Sequence, residues 1–256
     1  MSTLEIHQIP TRSDNYVYLL RESSSENAAV VDPSDSAPVL NTIEMFGWNL
    51  THILATHHHD DHVGGIPEIK KATNCTVVGP KADRDRIPMI DVELADDDTF
   101  MLYEAEAKVW DVPGHTAGHI AYWFAESRAL FCGDTLFALG CGRVFEGTLP
   151  QMYDSISKFK KVPDDTWVYC AHEYTMGNAK FALSLDPDNR DLRAYAKQIT
   201  ARREAGVSTV PSLMGVERRT NPFLRADDPQ MAAVIGMEGK PPVEVFAEIR
   251  TRKDNF

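Results

Sequence analysis

The sequence predicts a mixed α/β unit over residues 1–173, followed by a helical addition over residues 174–256. Three observations predict it. Through the first two-thirds, short β-rich apolar runs alternate with stretches of helical spacing. Polar residues stop those runs at their C-terminal ends (Asp32, His57, His115, Asp134 and His172), where scaffolds usually place their chemistry. After about Tyr174 the texture turns helical.

Residues 17–20 and 28–31 read as strands, the second ending in the turn-like Asp32-Pro33-Ser34. Residues 37–46 carry Val39, Leu40, Ile43 and Phe46 at helical spacing. The apolar run 53–55 stops at Thr56, a helix follows over about 65–72, and Thr76-Val77-Val78 resumes the strands. Further strands are expected at 107–110, 120–124, 129–132 and 167–171. Asp188-Asn189 can cap a helix with the stripe Leu192, Tyr195, Ala196 and Ile199, ending near Gly206. Residues 210–223 read as irregular, and Pro241-Pro242 opens a last helix bearing Val245, Phe246 and Ile249.

Composition narrows the function classes. Twenty-six Lys and Arg against 38 Asp and Glu give a net charge of −12, a poor match to a nucleic-acid phosphate backbone. No stretch approaches the roughly 20 apolar residues of a membrane span, and the first residues lack the basic start and apolar core of a secretory signal. Four cysteines without close pairing argue against a disulfide framework. The expectation is a cytoplasmic monomer with neither nucleic-acid nor membrane partners.

Histidine breaks this bland picture. Thr56-His57-His58-His59-Asp60-Asp61-His62 has the form T-H-x-H-x-D-H, and imidazole nitrogen with carboxylate oxygen suits zinc, iron or manganese. At i, i+2 in an extended segment, His57 and His59 point to one side and can share an ion. Asp61 and His62 can then reach a second ion about 3.5–4 Å away. A solvated polar loop is the bland alternative, but a strand and Gly64-Gly65 bracket this run. Three later strand ends can complete two sites: Pro113-Gly114-His115-Thr116, Gly133-Asp134-Thr135 and Ala171-His172. The expected sets are His57, His59 and His115 on one ion, and Asp61, His62 and His172 on the other. Asp134 bridges them, because a carboxylate has two oxygens to share.

With these motifs the chain resembles the metallo-β-lactamase superfamily, and within it the glyoxalase II (hydroxyacylglutathione hydrolase) family. The narrower resemblance rests on Cys141-Gly142-Arg143, Glu146-Gly147-Thr148, His172-Glu173-Tyr174-Thr175, Asn221-Pro222-Phe223-Leu224-Arg225 and the terminal Arg250-Thr251-Arg252-Lys253-Asp254. It implies an αββα sandwich with a C-terminal helical domain that binds glutathione. It also implies two divalent ions (zinc, with iron and manganese as alternatives). The implied reaction is hydrolysis of S-(2-hydroxyacyl)glutathione, such as S-D-lactoylglutathione, to a 2-hydroxy acid and glutathione in methylglyoxal detoxification. Asp61 and Asp134 then stand at the reacting centre, while Arg143, Tyr174, Asn178, Arg250 and Lys253 hold the glutathione thioester. Arg143 stands where the family commonly has Lys, and Phe145 where it commonly has Tyr.

The chemistry agrees. Paired cations lower the pKa of a shared water to about 7, supplying hydroxide to attack the thioester carbonyl. The thiolate leaves without a general acid, its thiol having a pKa of about 8.5. No G-x-S-x-G elbow is visible, which disfavours a covalent acyl-enzyme. His58 and Asp60 occupy the variable positions of the first motif. His119 and Asp32 read as supporting groups, and Cys132 and Cys170 as core thiols. Two competing readings are a one-iron glutathione persulfide dioxygenase of the same fold and a non-catalytic metal- and glutathione-binding module. A nuclease of the superfamily is disfavoured by the acidic charge.

Overall fold

A hairpin opens the first sheet. β1 (Leu4–Thr11) runs antiparallel to β2 (Asn15–Glu22), with Arg12 at a left-handed φ of 48° turning the corner. The computed structural model describes residues 3–256, which divide into two compact units. One runs to Asp111 and resumes over Thr116–Gly133; the other takes Val112–His115 and Asp134–Phe256.

In the first unit, β3 (Asn27–Val31) pairs antiparallel with β2. β4 (Asn49–Leu54), β5 (Thr76–Pro80) and β6 (Val92–Leu94) continue the sheet in parallel. Parallel neighbours need crossovers. α1 (Ser36–Phe46) supplies one, and the short α2 (Asp60–Val63) with α3 (Ile66–Thr73) supplies the next. Val39 and Ile43 of α1 and Ile66 and Ile69 of α3 bury against Val30, Ile53 and Val77. Each such side chain stabilises by roughly 1.5–3 kcal/mol when fully removed from water.

β7 (Thr99–Leu102), β8 (Ala105–Asp111), β9 (Ile120–Phe124) and β10 (Ala129–Gly133) form an antiparallel run in the order β10-β9-β8-β7. Its inner face packs on the first sheet, with the Tyr18 and Phe131 rings 5.6 Å apart. The buried Tyr122 hydroxyl donates to the Ala55 carbonyl at 2.9 Å, and the Ile120 N–H to the Thr56 carbonyl at 2.9 Å. The second strand run thereby pins the backbone that leads into His57.

The other unit begins its regular structure with the hairpin β11 (Leu136–Phe137) and β12 (Gly140–Cys141). α4 (Leu149–Lys158) starts on a reciprocal capping box between Thr148 and Gln151. β13 (Trp167–Cys170) precedes α5 (Thr175–Leu185) and α6 (Arg190–Glu204), the latter capped by Asn189. β14 (Ser212–Leu213) pairs antiparallel with β13, and α7 (Met214–Thr220), α8 (Pro229–Val234) and α9 (Pro242–Asp254) complete the chain. The stretch 210–223, read from sequence as irregular, therefore holds a strand and a helix. α7 has no side-chain cap, so its start leaves no signal. Ala179, Ala182, Leu192, Ala196 and Ile199 bury between α5 and α6, and Phe223 packs on Phe181 and Phe246. Among the described residues no helix is long and apolar enough to cross a membrane.

Candidate active site

The first unit presents its polar cluster where β3 and β4 end. Asp32, at φ 49° and buried, accepts from the Thr56 N–H through Oδ1 at 2.7 Å and from the Thr56 hydroxyl through Oδ2 at 2.7 Å. The same Oδ2 lies 3.0 Å from His62 Nδ1. Thr56 Oγ1, its proton committed to Asp32, accepts from His57 Nδ1 at 3.0 Å. This chain assigns the tautomers: His57 and His62 both carry Nδ1–H and offer the Nε2 lone pair. His57 Nε2 comes within 3.1 Å of His59 Nδ1, and His62 Nε2 within 3.6 Å of Asp61 Oδ2. Asn15, unmarked in the sequence reading, donates to Asp61 Oδ2 at 3.0 Å.

The variable residues of the motif turn elsewhere. His58 Nδ1 meets Asp83 Oδ2 at 3.0 Å, and Asp60 pairs with Arg12 at 2.8 Å. His119 is buried, stacks on His57 at 4.5 Å and donates to the Ile120 carbonyl. At Gly133 (φ 46°) a Cβ would collide with Thr56 Oγ1 and His119, so only glycine leaves room for the chain that orients His57.

The second unit holds His115, Asp134 and His172 together. His115 Nδ1 donates to the Arg143 carbonyl at 2.9 Å, which leaves Nε2 facing Asp134 Oδ2 at 3.4 Å. His172 Nε2 approaches the same oxygen at 3.4 Å, its ring stacked 4.6 Å from Tyr174 at 2° between planes. A Cβ at Gly142 would fall on the Asp134 carbonyl and crowd His115 Nδ1.

Two lone-pair nitrogens aimed at one carboxylate oxygen, or at each other, repel unless a cation lies between them. His115 Nε2 stands in that relation to Asp134 Oδ2, and the nitrogen and oxygen donors of both clusters suit a divalent ion. The residues fit the groups they are expected to hold, and the clusters are consistent with two divalent ions. Cys170 fits the core-thiol reading, as burial pushes its thiol up to about 12.

The residues expected to hold glutathione are spread around this second cluster. Arg143 lines a cleft of about 480 Å³ with Phe145, Thr148 and Asp254. Tyr174 is 42% exposed over His172, and Asn178 is buried, its amide donating to the Ala138 carbonyl at 3.1 Å. Arg250 is only 4% exposed, donating to the Cys141 carbonyl and to Asp254, both at 2.9 Å. Lys253 lies over the Phe181 ring, and burial, then repulsion from Arg250 and Arg143, holds its ammonium below the usual lysine range. Three cations in mutual reach make a basic spot on an acidic chain. Sequence spacing gives no sign of Glu217 and no role to Asn221 beyond its place in the Asn221-Pro222-Phe223-Leu224-Arg225 motif; the two grip the hairpin β11–β12 from α7 and its C-terminus.

Residues 173–256 match the hydroxyacylglutathione hydrolase C-terminus family, and residues 10–172 match the metallo-β-lactamase superfamily. A hydroxyacylglutathione hydrolase of Methylococcus capsulatus is 55% identical over 253 residues, covering 99% of each chain. One of Rhodospirillum rubrum is 54% identical over 256 residues, all of both chains. The crystal structure of ETHE1 from Myxococcus xanthus aligns with a TM-score of 0.68 at 25% identity, over 96% of this chain and 90% of that one.

Proposed function

The chain belongs to the hydroxyacylglutathione hydrolase family of the metallo-β-lactamase superfamily, and from that premise we propose that it hydrolyses S-(2-hydroxyacyl)glutathione. S-D-lactoylglutathione is the substrate in view, giving D-lactate and free glutathione, the second step of methylglyoxal detoxification. One observation carries the reading: the Nε2 atoms of His115 and His172 flank a single oxygen of Asp134, each at 3.4 Å. That is a carboxylate arranged for sharing.

In this reading His57, His59 and His115 hold one ion, Asp61, His62 and His172 hold the other, and Asp134 serves both. Zinc is the metal proposed, with iron and manganese chemically admissible. When bound, such a pair lowers the pKa of a water to about 7 and polarises a carbonyl. The chain's own residues do the rest. Asp32 and Thr56 keep His62 and His57 turned Nε2-outward, and the Arg143 carbonyl does the same for His115. Arg143, Arg250 and Lys253 attract the glutathione carboxylates, and Tyr174 and Asn178 complete the cradle. The departing thiolate needs no acid from the protein, since its parent thiol ionises near pH 8.5.

Residues 1–173 then form the catalytic domain and 174–256 the glutathione-binding domain. All proposed ligands lie on one chain, which supports a monomer. The four cysteines are free and buried, which supports a reducing cytoplasm. The test is release of free thiol from S-D-lactoylglutathione by the metal-loaded protein. Thiol release at an enzymatic rate supports the reading. Oxygen uptake on glutathione persulfide without thioester cleavage, or tight glutathione binding without turnover, overturns it.

A further inference from the structure

The hairpin after Asp134 turns on two residues, Ala138 and Leu139, with Leu136 opposite Cys141 and Phe137 opposite Gly140. Two-residue turns favour Asn-Gly or Gly-rich pairs, because positive φ burdens a residue with a Cβ. Here Leu139 takes φ 57° while fully buried. Such a conformation persists only where its surroundings over-determine it.

The surroundings do so group by group. Asn221 Nδ2 reaches the Phe137 carbonyl at 3.1 Å and the Gly140 carbonyl at 3.0 Å. Glu217 Oε2 accepts the Leu139 N–H at 2.8 Å and lies 3.0 Å from Asn221 Nδ2. Asn178 takes the Ala138 carbonyl and Arg250 the Cys141 carbonyl. Every residue from Phe137 to Cys141 thus gives one backbone group to a side chain from a later helix or its end. At the feet of the hairpin stand Asp134 and Arg143, joined through the Thr135–Gly142 hydrogen bond of 3.2 Å and the Arg143–His115 bond.

We infer that Glu217 and Asn221 are positioning residues: they impose the Ala138-Leu139 turn and so set Asp134 and the Arg143 carbonyl for the ions and substrate of the proposed reaction. The inference rests on that reading and adds two residues that touch neither ions nor substrate. Asn178 and Arg250 give the hairpin one backbone hydrogen bond each, and Arg250 also donates to Asp254.

The test uses the full-length zinc-loaded protein and two variants. Asn221→Asp replaces the donating amide with a carboxylate facing two carbonyls and Glu217. Asn221→Ser removes the donors without adding charge, and serves if the first variant does not fold. Zinc is withdrawn by a competing chelator, and hydrogen exchange is followed over residues 134–143. Faster exchange confined to that segment, with zinc affinity about 10–100-fold weaker, is expected. Glu217→Gln keeps an acceptor for Leu139 and should stay within about threefold of the parent. Parent-like zinc affinity in the Asn221 variants, or weaker zinc without faster hairpin exchange, overturns the inference. A parent protein that cleaves no thioester overturns the proposed function instead.

Discussion

Replacing Glu217 by Gln should change how stability varies with pH, and the size follows from burial. Glu217 is wholly buried, and desolvation pushes its carboxyl up from 4.5 to about 7 against the hydrogen bonds from Leu139 and Asn221. A raised folded pKa means the folded chain binds more protons than the unfolded one between these two values. The group's contribution is therefore intact below about pH 4.5 and lost as pH climbs through about 7. A difference of about 2.5 in pKa, at about 1.4 kcal/mol each, amounts to about 3.5 kcal/mol. Of the groups that face it, Tyr195 and Cys170 are pushed far upward by burial and stay protonated throughout. Urea unfolding of parent and variant near pH 5 and near pH 8 measures the effect. The variant should gain about 2–3 kcal/mol on the parent from the lower to the higher pH. A difference that does not move with pH would refute the reasoning.

Other expectations follow from the same geometry. Asp32→Asn keeps an acceptor for the Thr56 N–H but turns an amide toward the Thr56 hydroxyl or His62 Nδ1. Zinc titration should show affinity about 10–100-fold weaker, with the circular dichroism unchanged. Gly142→Ala forces a Cβ onto the Asp134 carbonyl and should lower the melting temperature by several degrees or prevent folding. Gly177→Ala, with nothing within 4 Å in α5, should be neutral or stabilise by up to about 1 kcal/mol. Lys253→Ala should raise KM about tenfold with little change in kcat, since its contact is remote from the reacting carbonyl. Arg250→Ala should cost about 2 kcal/mol of stability besides, because it strips a buried hydrogen bond from the Cys141 carbonyl and a half-exposed one from Asp254.

Much of the fold is local and therefore legible. Strands 28–31 and 120–124 announce themselves by apolar β-branched and aromatic runs, and α6 by its stripe and its Asn189 cap. The polar strand ends are legible for the same reason: the approach of His57 to His59 is a matter of two residues in an extended segment. The alternating burial of β1 and the Thr148–Gln151 capping box of α4 are local signals of the same kind.

The rest depends on distant partners. That Asn15 supports Asp61, or that Asp32 joins Thr56 to His62, requires the strand ends to be side by side first. The burial of Arg250 is set by Cys141 and Phe223, far away in the chain, whereas i, i+3 spacing speaks only of a shared helix face. The Ala138-Leu139 turn has no turn chemistry of its own. Its cause lies some 80 residues downstream, in side chains that nothing local connects to it.

Metal reconstitution examines the central claim most directly. The protein is stripped with a chelator, zinc is returned in measured equivalents, and bound zinc and S-D-lactoylglutathione cleavage are followed in the same sample. Activity that rises with zinc and levels off at two ions per chain is the predicted result. Saturation with a single ion, or full thioester cleavage by the stripped protein, would contradict it.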